Sequence, residues 1–102
     1  VLSLDGPIIP TEFVLQQNYP NPFNPMTQIY YGIPKVSMVK ITIYDVMGRV
    51  VKDLVNGQKD VGYHSVNWNA ENDMGDPVSA GMYFYTIHAG EFFETKKMVL
   101  LK

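Results

Sequence analysis

His64 and His88 are the side chains of this chain with a natural proton-exchange range near neutral pH, and no cysteine is present to serve as a thiolate nucleophile or soft metal ligand. Four serines, Ser3, Ser37, Ser65 and Ser79, stand outside any nucleophile elbow of the Gly-x-Ser-x-Gly kind. Covalent or general-base catalysis needs a nucleophile, a base and a group that orients the base. The spacing supplies no such trio. His64 shares its alternation with Val66 and Trp68, and His88 shares its own with Phe84 and Thr86, so both read as rim or core members of strand faces. The expectation is a chain that is not an enzyme and that requires no cofactor.

Oxygen ligands gather in Glu71-Asn72-Asp73-Met74-Gly75-Asp76, a composition that brings calcium to mind. The run lacks the twelve-residue EF-hand spacing and its terminal bidentate glutamate, and it reads instead as a turn started by Asn72 and Asp73 and completed by Gly75. No required metal is expected. Tyr30, Tyr44, Tyr63, Tyr83, Phe84, Tyr85 and Trp68 offer rings for a sugar-stacking platform, but alternation assigns most of them to a core. A carbohydrate-binding module and a structural spacer appended to a secreted hydrolase are therefore the alternatives carried forward. Lys96-Lys97 concentrates positive charge near the end and suits the protection of a sheet edge. Eight basic against ten acidic residues, without a clustered basic face, argue against nucleic acid or an electrostatic membrane anchor.

The elements that must position these residues are strands. At 102 residues, 46% apolar and 18% charged, the chain has the composition of one folded domain with one core. No apolar run approaches the ~18 residues of a membrane helix, and the start Val-Leu-Ser-Leu-Asp-Gly lacks the basic and apolar regions of a signal peptide. The absence of an initial Met points to a fragment of something larger. Ile29, Tyr31 and Ile33 alternate with Gln28, Tyr30 and Gly32, and Val39, Ile41 and Ile43 alternate with Lys40, Thr42 and Tyr44. Asp45-Val46-Met47-Gly48 fits a type I turn into a strand over Arg49 to Leu54, making a hairpin. Asn56-Gly57 and Asp60-Val61-Gly62 mark the next connection.

A strand over Gly62 to Trp68 follows, with Trp68 as the central core plug; Met82 to Ala89 carries large residues on both faces and belongs in the middle of a sheet; and Ala89-Gly90 returns the chain into Glu91 to Leu101. With a weaker strand over Phe13 to Gln16, about seven short strands predict an all-β fold: an antiparallel two-sheet β-sandwich of immunoglobulin-like type, with a closed barrel as its competitor. Between the first two strands, Asn18-Tyr19-Pro20-Asn21-Pro22-Phe23-Asn24-Pro25 holds three prolines, three asparagines and two aromatics. Proline fixes φ and biases the residue before it, and asparagine bonds nearby backbone, so this loop is stiff and shaped. Tyr19 and Phe23 are expected to pack on the body, leaving the Asn21-Pro22 rim outward.

These motifs together resemble the type A C-terminal sorting domains of the type IX secretion system, related to the immunoglobulin-like domain of flagellar hook-capping proteins. The resemblance rests on Leu15 to Pro25, on Thr27, Ile29 and Tyr31, on Ile43-Tyr44-Asp45 with Gly48-Arg49, on Gly62, His64, Val66 and Trp68, on Gly81, Tyr83, Phe84 and Tyr85, and on Thr95 to Lys102. It departs at Asn69-Ala70, where the family carries Asp-Gly, a change expected to alter the following loop but not the fold. The similarity covers about Phe13 to Lys102, so residues 1–11 read as a linker to an upstream cargo domain and residues 12–102 as the sorting domain. What the resemblance implies is a non-catalytic address on a larger protein, secreted or surface-displayed by a Gram-negative bacterium after passage through the periplasm. Its partners would be the outer-membrane translocon and a sortase that removes the domain, with no membrane insertion. By the same analogy, Asn21, Pro22, Gly81, Tyr83, Lys96 and Lys97 are the translocon-recognition candidates.

Overall fold

The computed structural model describes residues 9–101, and seven strands account for their regular structure. β1 (Val14–Leu15), β2 (Thr27–Ile33) and β5 (Gly62–Trp68) form a three-stranded sheet in the order β1-β2-β5. β3 (Ser37–Tyr44), β4 (Val50–Lys59), β6 (Gly81–Ala89) and β7 (Phe92–Leu100) form a four-stranded sheet in the order β4-β3-β6-β7. Every ladder is antiparallel. The fold is the two-sheet immunoglobulin-like sandwich that the alternation predicts.

Period-two patterning builds the core directly. Leu15, Ile29, Tyr31, Ile33 and Trp68 line the inner face of one sheet, and Val39, Ile41, Ile43, Tyr85, Ile87, Met98 and Leu100 line the other; all are buried. Full burial of each such side chain is worth about 1.5 to 3 kcal/mol relative to exposure, so with no disulfide the sandwich rests on packing. Trp68 is the plug expected of it, with Phe23 at 5.7 Å and Tyr83 at 5.4 Å between ring centroids. Its indole N–H donates to the Glu71 carbonyl at 2.8 Å.

Two expectations change. Asn56-Gly57 is no turn: β4 runs straight through it, with Asn56 opposite Lys40 and Gly57 opposite Val39, and the chain reverses only at Asp60-Val61. β3 extends to Ser37 and pairs as far as Lys59, so ladder hydrogen bonds outweigh the local turn preference. The second change concerns Tyr19. Its main chain bridges to Gln28, yet its ring is 77% exposed, while Phe23 is buried at 1%. One anchor holds the proline loop rather than two.

The proposed linker over residues 1–11 lies mostly outside the described residues. Of its described part, Pro10 is buried beside Gly32. A Cβ at Gly32 would meet the Tyr63 ring at 2.9 Å and Pro10 Cγ at 3.1 Å, so this close approach of ring and proline to the backbone requires glycine.

Candidate functional site

The proline loop docks along the free edge of β7. Phe23 N–H donates to the Val99 carbonyl at 3.0 Å, Leu101 N–H donates to the Phe23 carbonyl at 2.8 Å, and Val99 N–H donates to Asn21 Oδ1 at 3.0 Å. The Gln17 side-chain amide adds a bond to the Lys97 carbonyl at 2.7 Å. Backbone groups that a further strand would have satisfied are met by a loop in which three prolines preset the backbone. The peptide bonds before Pro20, Pro22 and Pro25 are cis.

Beneath the loop sits a buried polar knot. Asn18, 2% exposed, donates through Nδ2 to Thr27 Oγ1 at 2.9 Å and to the Pro20 carbonyl at 3.2 Å; Thr27 Oγ1 also donates to the Pro20 carbonyl at 2.9 Å. Tyr85 reaches across from the other sheet: its hydroxyl accepts from Asn18 N–H at 2.7 Å and donates to the Gln16 carbonyl at 2.8 Å. Burial pushes the Tyr85 phenol up to about 12, and it also raises that of Tyr31. No buried side-chain nitrogen or oxygen among the described residues is left unpaired, so the knot is saturated and structural.

The six recognition candidates fall into different environments. Asn21 and Pro22 are exposed, and Gly81 joins them at the same end because Gly81 pairs with Leu100, which in turn bridges to Phe23. Gly81 has φ +143°, a conformation that excludes most side chains and explains the glycine without a ligand. Tyr83 is buried against Trp68, and its hydroxyl donates to the Ser79 carbonyl at 2.6 Å. Lys96 and Lys97, being consecutive in β7, point to opposite faces: Lys96 turns inward at the rim and pairs with Glu94 at 3.2 Å, whereas Lys97 faces outward. They make no single basic patch.

Sequence reasoning missed the apolar character of this end. The proline loop, the β3–β4 turn, the Asn69 to Ala80 loop and Leu101 all cluster there, and they expose Tyr19 (77%), Met26 (47%), Val46 (64%), Met47 (75%), Met74 (85%) and Leu101 (50%). Methionines placed inside turn signals were the available clue. At Val46 and Met47 opens a cavity of about 220 Å³ also lined by Asp45, Arg49, Ser79, Gly81 and Tyr83. Asp45 shapes the turn: its carboxylate accepts from Met47 N–H, Arg49 N–H and Arg49 Nε at 2.9 to 3.0 Å. The Arg49 backbone bond, ahead of the guanidinium, holds its carboxyl below the usual carboxylate range.

The chemical candidates do not converge. His64 lies in the three-stranded sheet, stacked on Tyr31 at 5.3 Å and bonded through Nε2 to the Asp60 carbonyl, while His88 lies on the outer face of the other sheet against Phe93. In the acidic loop, Asn72 Oδ1 accepts from Met74 and Asp76 N–H, and Asp73 Oδ1 accepts from Asp53 N–H. Those oxygens serve the backbone, as the turn reading expects. Among the described residues, no three His, Cys, Asp or Glu side chains gather in a metal-binding group.

The sandwich has counterparts among solved structures. PorZ, described as an essential bacterial surface component of the type-IX secretion system of human oral-microbiomic Porphyromonas gingivalis, aligns with a TM-score of 0.58 at 20% identity, covering 88% of this chain and 11% of its own. Dimeric latent PorU from Porphyromonas gingivalis aligns with a TM-score of 0.69 at 19% identity, covering 89% of this chain and 10% of its own. The chain thus spans about a tenth of the length of each, and at such identities the likeness is one of fold. No curated protein matches the sequence. Residues 25–91 match the FlgD Ig-like domain, and the chain belongs to that family.

Proposed function

We propose that this domain is a non-catalytic C-terminal sorting signal of a larger secreted protein, recognised in its folded form by the outer-membrane translocon of type IX secretion and then removed by a sortase. The reading places the parent protein outside the cell or on the surface of a Gram-negative bacterium, reached through the periplasm. The observation that carries it is the loop end: the exposed Asn21-Pro22 rim, hydrogen-bonded to the last strand, shares one end of the sandwich with exposed apolar side chains of Val46, Met47, Met74 and Leu101. Exposed apolar clusters on loops held by a rigid scaffold are characteristic of interaction sites. The motif resemblance and the likeness in fold to a type IX surface component support the same partner class.

The test is a passive reporter carrying a Sec signal and this domain at its C-terminus, expressed in a type IX-competent host. Release or surface display is expected, and it should fall at least ~10-fold in a Met47→Asp, Met74→Asp double variant whose stability stays within about 0.5 kcal/mol. Retention of the unmodified fusion in the periplasm would sink the proposal. A second reading, carbohydrate binding, is favoured by Tyr30 (43% exposed) and Tyr63 (53% exposed) on the outer face of the three-stranded sheet, which also carries Gln28, Ser65 and Asn67. Retention on insoluble polysaccharide that Tyr63→Ala abolishes would favour it over sorting.

A further inference from the structure

The four sheet edges are unequally defended. β1 is two residues long. β4 is irregular, with two register shifts against β3, and Asp73 clamps it through bonds to the Val51 carbonyl and the Asp53 N–H. β7 carries Glu94, Lys96 and Lys97 and is sealed by the proline loop. β5 differs from all three: Gly62-Tyr63-His64-Ser65-Val66-Asn67-Trp68 has no Asp, Glu, Lys, Arg or Pro, and its seven-residue register with β2 is unbroken. Flat, uncharged edges of this length are the ones that recruit another strand.

The direction of its free backbone groups follows from β2. Gln28 and Tyr30 turn their main-chain groups toward Tyr19 and Gln16 on the β1 side. Ile29 and Tyr31 therefore bond their β5 partners Val66 and His64, because hydrogen-bonded pairs alternate in an antiparallel ladder. Tyr63, Ser65 and Asn67 are left facing outward with three N–H and three C=O groups. All three residues are exposed, and no hydrogen bond from another described residue meets their main chain.

We propose that β5 pairs antiparallel with β5 of a second copy of this chain, about a two-fold axis at Ser65. The second copy is the occupant because the edge is self-complementary. Ser65 is the middle of the three outward residues, so the axis sets Ser65 opposite its mate and each Tyr63 opposite an Asn67. All six free groups on each edge are then satisfied reciprocally, and no like charges oppose one another. Tyr63 lies back over Gly32, leaving the approach to the backbone clear. The result is one continuous six-stranded sheet, β1-β2-β5-β5-β2-β1. An edge contact this small falls below the standard interface size, so the dimer is weak and concentration-dependent.

Sedimentation velocity over a dilution series tests the proposal, together with amide hydrogen exchange. The mass is expected to rise from monomer toward twice that value as concentration climbs toward the millimolar range, with exchange at Tyr63, Ser65 and Asn67 slowing several-fold. Ser65→Pro removes an outward N–H that the β2 ladder does not use. Ser65→Lys sets two ammonium groups across the axis while keeping the N–H, and it carries the test if the proline variant fails to fold. Both variants are expected to remain monomeric, the lysine variant with an unchanged melting temperature. A wild-type chain that stays monomeric at millimolar concentration would overturn the proposal, as would a dimer that survives both substitutions. Faster exchange at Ser65 in a dilute chain beginning at Ile9 than in the full chain would also overturn it, by assigning the edge to residues 1–8.

Discussion

β7 and β5 are both long outer strands, one in each sheet, yet only β7 is finished by the chain itself. Its outward Lys97 carbonyl and its Val99 N–H and carbonyl are met by Gln17, Asn21 and Phe23, whereas the matching groups of β5 at Tyr63, Ser65 and Asn67 meet none among the described residues. Side chains and a rigid loop thus take the place of a missing strand. Because proline offers no N–H, the loop closes the edge without presenting a new ladder of its own. One edge is consumed in stabilising the fold, and the other is left able to act between molecules.

Four substitutions sharpen this contrast, in falling order of effect, with Tyr19→Ala as the control for the first. Phe23→Ala removes the buried ring that pins the loop beside Trp68 and should cost roughly 3 to 4 kcal/mol in denaturant unfolding. Tyr19→Ala in the same loop should stay within about 0.5 kcal/mol, its ring being exposed. Equal effects at the two positions would mean that the loop is not anchored as described.

Tyr85→Phe leaves the Asn18 N–H and the Gln16 carbonyl without their partner and should cost about 2 kcal/mol. It also carries a pH signature. The folded-state phenol is raised to about 12, above its unfolded value near 10, so its contribution is fully present below pH 10 and is lost as pH rises toward 12. Urea midpoints measured across that window should fall for the wild type and flatten in the phenylalanine variant.

Asn21→Ala deletes the acceptor for Val99 N–H, with an expected cost of about 1 kcal/mol. Faster hydrogen exchange at Val99 is the diagnostic readout, since it reports the reopening of the β7 edge rather than a loss of core. The smallest effect has the opposite sign. Ala70 holds φ +63°, a left-handed conformation that glycine adopts without strain, and its carbonyl accepts from Val78 N–H. Ala70→Gly should relieve backbone strain and raise stability by up to about 1 kcal/mol, less what the buried methyl contributes. A fall in melting temperature would place the methyl's packing above the strain.

Much of this was legible residue by residue. The alternation of Ile29, Tyr31 and Ile33 against Gln28 and Tyr30 located β2 and its buried face, and Trp68 announced itself as the core plug through size and position. The acidic run Glu71 to Asp76 was legible as a turn, because asparagine and aspartate favour backbone amides as partners. Asn56-Gly57 misled, since a local turn preference yields to ladder bonds that only the partner strand reveals. The Lys96-Lys97 pair looked like one charge cluster until the pleat divided it between two faces.

Sequence alone determined the number and order of the strands, most of their buried faces and the stiffness of the proline loop, because period-two patterning and proline geometry act over a few residues. Only the tertiary structure decided that Phe23 is buried and Tyr19 is not, that the loop seals β7 and leaves β5 open, and that the exposed Met26, Met47 and Met74 share one end. Those outcomes depend on contacts between positions up to about eighty residues apart, such as Gln17 with Lys97, and no local preference encodes which distant edge a loop will meet.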